Sequence, residues 1–372
     1  MKKHSIVLIF IIITAFFLWW GLLGNREGDL PPAVEPAPGN AVLEDIPLAA
    51  SVAKGLEIPW ALDFLPDGGI VFTERAGRVR LIDADEGLLS EPLKTISEVS
   101  HVGEGGLLGI SVHPDFSQNQ FIYVYYTYGD GKNLKNRVVR YRMQDKNLLD
   151  EKVIIEGIPG ARFHNGGRIK FGPDGHLYIT TGDALSPDGA QDKNSLSGKI
   201  LRLRADGTIP KDNPFPGSPV YSIGHRNPQG LAWTDLGALW ETEHGSSAAD
   251  EVNLIEMGKN YGWPIVRGNE RAEGLNNPVI HSGSDTWAPS GAAYLNGSLF
   301  FAGLRGQSLY ELVLEDERVT LQPHLNGKFG RIRDVVASPD NFLYILTNNR
   351  DGRGIPTSGD DQIIRINPEK LS

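Results

Sequence analysis

The sequence predicts an all-β fold, a six-bladed β-propeller, preceded by an N-terminal hydrophobic signal or anchor segment. A turn-plus-strand phrase recurs six times with its turn residues 44 to 61 positions apart, the spacing of radially repeated four-stranded blades. Forty-four glycines and 24 prolines suit a chain of tight turns, and no stretch after residue 50 carries a long amphipathic helical period.

The chain opens with Met1-Lys-Lys-His4, followed by an uncharged run from Ile6 to Leu23. That run just reaches membrane-spanning length, and Trp19 and Trp20 stand near its outer end, where indoles favour the interface. The lysines ahead of it place the N-terminus inside and the bulk of the chain outside, and no small-x-small cleavage site follows. Residues 1–24 are therefore expected to be an uncleaved signal-anchor, with a cleaved signal peptide as the alternative. The expected location is periplasmic or otherwise extracytoplasmic, with membrane contact through this segment only. Residues 25–47, with Pro31, Pro32, Pro36 and Pro38, read as a semi-extended tether, and residues 48–372 as the propeller.

The six phrases come in order along that domain. The first runs from Phe64 through Pro66-Asp67-Gly68 to Glu74, and the second from His113-Pro-Asp115 into Phe121–Tyr126. The third is Phe171-Gly-Pro-Asp174-Gly leading to Thr181, and a looser fourth turns at Asp235. The fifth turns at Asn296-Gly297 and the sixth at Pro339-Asp340. In each, turn residues preset a tight bend and a β-branched or aromatic run then reads as a strand.

A formal charge of −10 with no basic run argues against nucleic acid as a partner. The absence of cysteine excludes disulfides, thiolate metal sites, thiol nucleophiles and a lipid anchor on cysteine.

The chemistry concentrates between His164-Asn-Gly-Gly-Arg168 and Thr181-Gly-Asp183. A strand carrying Asp183 to the same rim as His164 pairs a carboxylate with an imidazole, the arrangement of an oriented general base. The alternative is a histidine that caps a turn and an aspartate that satisfies loop amides. Val102-Gly-Glu104-Gly-Gly places a carboxylate among glycines that let the backbone approach a ligand. Gly224-His-Arg226-Asn227-Pro is a dense set of donors on a loop, since Pro228 breaks regular structure. The oxygen-rich run from Glu243 through Gly245, Ser246 and Glu251 to Tyr261 suits a hard cation such as calcium, or equally a solvated acidic loop. Arg305, Arg331 and Arg333 fall near strand ends, and alternation puts the last two on one face, which suits an anionic ligand or a surface charge pattern.

These residues resemble the glucose/sorbosone dehydrogenases, the family of soluble quinoprotein glucose dehydrogenase and the aldose sugar dehydrogenases that use pyrroloquinoline quinone (PQQ). The resemblance runs from Gly55-Leu-Glu-Ile-Pro-Trp-Ala61 to Ile366. It is carried by Gly-Gly-Leu-Leu-Gly with His-Pro-Asp-Phe, His-Asn-Gly-Gly-Arg, Gly-His-Arg-Asn-Pro-Gln-Gly, Asn-Tyr-Gly-Trp-Pro and Arg-Asp-Val-Val-Ala-Ser-Pro-Asp. It implies a six-bladed propeller that oxidises a small-molecule aldose at the anomeric carbon to the lactone, passing hydride to PQQ and electrons to an external acceptor.

By the same resemblance, His164 is the general base and Asp183 its supporting carboxylate. Arg226 and Asn227 hold the quinone oxygens, and Arg305 stands where a cofactor-binding lysine is usual. Arg331 and Arg333 contact the carboxylates of PQQ. Gly245 and Ser246 offer carbonyls to the calcium beside PQQ, and Glu251 and Tyr261 are ligands of a second, structural calcium. One residue departs from the pattern. Glu104 stands where the family carries a cofactor-binding glutamine, and a carboxylate there repels a tricarboxylate unless it is protonated or neutralised by a cation. Two other classes share parts of this reading: a calcium-dependent propeller lactonase, and a non-catalytic propeller that binds protein or glycan.

Overall fold

The computed structural model describes residues 46–315 and 318–371, so the expected signal-anchor and all but the last residues of the expected tether lie outside the described residues. Six antiparallel sheets form the six blades of a propeller. Blade 1 runs outward through Pro59–Phe64, Ile70–Glu74, Arg78–Asp83 and Gly87–Leu88, with Lys94–Thr95 as an extra short strand on the third. Blade 2 uses Leu107–Val112, Phe121–Tyr128, Lys135–Gln144 and Asn147–Pro159, and blade 3 Ile169–Phe171, Leu177–Thr181, Lys199–Leu203 and Val220–Ile223. Blade 4 is Pro228–Trp233, Leu239–Glu243, Glu251–Ile255 and Ile280–His281; blade 5 is Pro289–Leu295, Ser298–Gly303, Leu309–Glu315 and Arg318–His324.

Blade 6 is composite. Ile332–Ala337, Leu343–Thr347 and Ile363–Ile366 supply three strands, and the N-terminal strand Ala49–Ala53 adds the fourth, with Ala49 opposite Ile366. The ring is thus closed by hydrogen bonds between the two ends of the domain.

Every one of the six turn residues picked out in the sequence lies in the hairpin between the first and second strands of its blade. The turn chemistry is as expected: the Asp67 carboxylate accepts the Gly69 amide at 2.9 Å, and Asp174 accepts that of His176 at 3.1 Å. Blades pack face to face, so their central strands are buried on both sides and lose the alternation of a half-exposed sheet. Ile122 to Tyr126 of blade 2 are all fully buried. Helix is confined, among the described residues, to Phe116–Asn119 and two short 3-10 turns, and none is long and apolar enough to cross a membrane.

This topology decides where functional groups collect. First and second strands are antiparallel, so the start of one and the end of the other share a rim, opposite the Pro-Asp-Gly hairpins. Glu104, His164, Arg226 and Arg331 precede first strands, and Asp183, His244 and Arg305 follow second strands.

Candidate active site

The floor of the site is a charged plug on the propeller axis. Arg168 reaches from blade 3 to Asp334 of blade 6 at 2.9 Å, both nearly inaccessible, while its Nε donates to the Gln229 carbonyl of blade 4. The indole of Trp60 lies 4.4 Å from this guanidinium and 5.6 Å from that of Arg333. Arg333 donates to Gln229 Oε1 at 2.8 Å and to Ser290. Burial pulls it down to about 9, against the charges of Asp351 and Glu104.

Above this floor stands the catalytic candidate. His164 Nδ1 lies 2.8 Å from Asp183 Oδ1, and its Nε2 lies 3.0 Å from Arg226 Nη2. A guanidinium can only donate, so Nε2 carries the lone pair and the proton sits on Nδ1, where Asp183 accepts it. That tautomer is a proton acceptor aimed into the mouth. Asp183 is 1 % exposed and held through both oxygens: Oδ1 also accepts the Leu185 amide, and Oδ2 accepts Trp263 Nε1 at 2.9 Å. His164 itself has φ of +60°, a left-handed backbone that its neighbours must hold. Glu104 accepts the His164 amide at 3.1 Å and so contributes to that constraint.

Arg226 is the second centre. Its Nη1 donates to the carbonyls of Gly245 at 2.6 Å and His244 at 3.2 Å, and its guanidinium stacks 5.3 Å from the Trp263 ring. Its own amide and that of Asn227 are fixed by Glu243 Oε2. Asn227 Oδ1 accepts the Gly166 amide, whereas its Nδ2 has no protein partner. Neither do Arg226 Nε, Arg333 Nε and the Nε2 of His244, although all are buried. Of these residues, His244 and Arg333 line the axial cavity, where unfilled polar capacity fits a polar ligand.

Glu104 is where sequence and structure meet most instructively. Its Oε1 accepts Arg353 Nη1 at 2.8 Å, from the loop after the second strand of blade 6. Burial raises its pKa, but His244, the Arg353 bond and the His164 amide outweigh that and hold the carboxyl at about 2. The glutamate is therefore ionised and neutralised by a cation, one of the two conditions required for an anionic ligand beside it. The flanking glycines serve a different purpose from the one expected. A Cβ on Gly103 would meet the Arg162 carbonyl at 2.1 Å, and one on Gly106 the Arg75 carbonyl at 2.4 Å, so their freedom goes to chain packing and not to ligand approach.

The remaining expected residues separate. Arg333 lines the axial cavity, but Arg331 is engaged with Asp351 at 3.0 Å and with the carbonyls of Leu304 and Asn348. Arg305 is exposed on the rim. Gly245 lies at the mouth, and Ser246 Oγ accepts from Arg267. Glu251 is buried inside blade 4, where its Oε1 accepts the Gly268 amide. The Tyr261 hydroxyl donates to the Leu254 carbonyl and its ring stacks 4.9 Å from His225.

Glu251 has buried neighbours whose grouping the sequence did not show. His225, Glu241 and Glu243 bring ligand atoms within 4.8 Å of one another, all buried, and Glu251 is the cross-strand partner of Glu243. Burial and then the charge of Glu243 push Glu251 up to about 8, and Glu241 is raised for the same reasons. Carboxylates so placed hold protons or a cation. Arg353 and Trp263 were also missed as site residues. Trp263 stood in a motif already marked, Asn-Tyr-Gly-Trp-Pro, but nothing local to Asp351-Gly-Arg353 signals its contact with Glu104.

The family model for glucose/sorbosone dehydrogenase matches residues 56–363. The aldose sugar dehydrogenase YliI of Escherichia coli is 34% identical over 339 residues, covering 82% of this chain and 90% of that protein. Quinoprotein glucose dehydrogenase B of Acinetobacter calcoaceticus is 38% identical over 253 residues, 58% of this chain and 52% of that one. Among solved structures, the PQQ-bound form of an aldose sugar dehydrogenase from Streptomyces coelicolor superposes with a TM-score of 0.81 at 41% identity, over 85% of this chain and 96% of that one.

Proposed function

The chain belongs to the glucose/sorbosone dehydrogenase family, and from that membership we propose that it oxidises aldoses at the anomeric carbon to the lactone, with PQQ and calcium as cofactors and an external electron acceptor. The observation that carries the proposal is the His164–Asp183 pair, with an acceptor Nε2 pointing into a mouth rimmed by arginines.

The chain's own residues divide the work. A substrate hydroxyl that takes the place now held by Arg226 Nη2 gives its proton to His164 Nε2, and Asp183 stabilises the imidazolium that results. Asp183 does not swing, because Trp263 holds its second oxygen and the Leu185 amide its first. Arg226, anchored through its backbone amide, keeps a positive charge where negative charge grows on oxygen. When bound, PQQ supplies the acceptor for the hydride that leaves the same carbon. Asn227 Nδ2, His244 Nε2, Arg226 Nε and the Arg333 guanidinium are the donors that would hold it, and the Arg353 partner of Glu104 removes the objection that an unpaired carboxylate would raise.

Calcium has support at two places. The Gly245 carbonyl is already directed at a cation, Arg226, at the mouth. Inside blade 4 the Glu241, Glu243 and Glu251 carboxylates are an assembly that a hard cation would neutralise. The uncharged run from Ile6 to Leu23 supports an extracytoplasmic enzyme tethered at its N-terminus, testable by carbonate extraction of membranes.

Purified apo-protein supplied with PQQ and Ca²⁺ should reduce an artificial dye with one or more of a panel of aldoses, and should accumulate the corresponding aldonolactone. Absence of any aldose-dependent reduction in protein shown to bind PQQ would remove the proposal.

A further inference from the structure

Lys199 is the most unusual buried charge in the molecule. It opens the third strand of blade 3, is 0% exposed, and forms no ion pair among the described residues. Its Nζ donates instead to three backbone carbonyls, of Gly189 at 2.7 Å, Ala190 at 2.9 Å and Ser197 at 2.6 Å. Three carbonyls around a compact cation is how proteins replace the hydration shell of a bound metal ion. Burial brings this ammonium down to about 7, with Asp192 opposing the shift.

The segment gathered by this cage, residues 184–198, begins directly after Asp183. It starts under strain, with Ala184 and Leu185 both at positive φ, +49° and +63°. Such a pair persists only where the surroundings over-determine it. The loop's contacts lead back to the catalytic pair by two routes. Gln191, next to the caged Ala190, donates to the Trp263 carbonyl at 2.6 Å and exchanges hydrogen bonds with Asn260, while the Trp263 indole holds Asp183 Oδ2. Ser197 and Gly198 donate to the carbonyl of Gly182, the residue before Asp183. The caged Ala190 carbonyl also accepts the amide of Gly224, two residues before Arg226.

We infer that Lys199 is a positioning residue for the catalytic pair, an internal hydrogen-bond donor around which loop 184–198 folds and through which Trp263 and Asp183 are fixed against His164. The inference rests on the dehydrogenase reading above. Its first test does not, because the indole proton of Trp263 reports the Asp183 bond in apo-protein.

The variants are Lys199→Met, which keeps the bulk without the donors, Lys199→Ala, and Gln191→Ala on the surface side of the loop. Exchange of the Trp263 indole proton, assigned with Trp263→Phe, should quicken by at least about tenfold in Lys199→Met and in Gln191→Ala, as a local opening requires. With PQQ, Ca²⁺ and an aldose that the parent oxidises, kcat should fall by about tenfold to a hundredfold, the cost of displacing a catalytic group by roughly 1 Å. KM and PQQ affinity should stay close to the parent's. Methylammonium should restore part of kcat to Lys199→Ala and none to the parent.

A protected indole proton with unchanged kcat, alongside a lower melting temperature, would reduce Lys199 to a stability residue and overturn the inference. Should Lys199→Met fail to fold, unchanged exchange and kcat in Gln191→Ala overturn it equally. A parent that oxidises no aldose would sink the functional reading while the indole exchange still decides the role of Lys199.

Discussion

Glu104 and Arg353, from blades that are not neighbours in the ring, meet at 2.8 Å across the mouth of the axial channel. The pair gives the Glu104 carboxylate a cationic partner, the condition under which it tolerates an anionic ligand beside it. Glu104→Gln should leave Arg353 unopposed and tighten PQQ binding by on the order of 1 kcal/mol, one charge contact at intermediate screening. Arg353→Ala should weaken binding by unmasking the glutamate. Titrations of PQQ into the parent and both variants distinguish these outcomes, and a weaker Glu104→Gln complex would make the glutamate a ligand in its own right.

The pH dependence follows from the same contact. The folded protein holds the Glu104 carboxyl at about 2, below its ordinary value of 4.5, so the unfolded chain binds its proton more tightly. Its stabilising contribution is then complete above about pH 4.5 and is lost as pH falls toward 2. Protonation of Glu104 therefore cannot assist PQQ between pH 5 and 8, although burial beside an anionic ligand suggests at first that it would. Affinity measured at pH 5.5 and 7.5 should show no difference that Glu104→Gln abolishes.

His164→Ala should lower turnover by about a hundredfold to ten-thousandfold, the usual worth of a general base. PQQ affinity should be nearly unchanged, since the orphaned donors around the channel belong to other residues. Near-normal turnover with any aldose the parent oxidises would remove His164 from the mechanism.

Chelation should lower the melting temperature, because an ion bound only by the native state stabilises it by mass action. Glu251→Ala should blunt that response by removing one wall of the buried cluster in blade 4. An identical melting curve in excess chelator excludes a structural calcium.

Asp334→Ala should destabilise the fold by about 3–5 kcal/mol in urea titrations, since it strands the Arg168 guanidinium without its counter-charge. A loss below about 1 kcal/mol would mean that Trp60 and the Gln229 carbonyl satisfy Arg168 unaided.

The sequence announced the six blades because hairpin chemistry is local: Pro, Asp and Gly fix a bend whatever lies around it. All six bends proved to be the same hairpin, at the rim away from the chemistry. His164, Asp183, Arg226 and Asn227 were legible as one site because each stands within a few residues of a strand end in a distinctive motif. Arg353 was not, because its partner lies 249 residues away and the contact depends on ring closure. The His225–Glu241–Glu243 cluster was hidden for a related reason. Glu241 and Glu243 look like exposed acids two residues apart, yet every residue of their strand is buried.

The composite sixth blade also sets the order in which this molecule is made. Ala49–Ala53 leaves the ribosome among the first residues of the domain, yet its partner Ile363–Ile366 is among the last. Until that partner arrives, the early strand is an unpaired edge, and closing a loop of this length carries its entropy cost before any pairing rewards it. The active-site loops of blades 3 and 4 can reach their local contacts earlier, but Arg353 and Arg333 come only with blade 6. Arg353 and Arg333 therefore join the site last, in the same event that seals the ring.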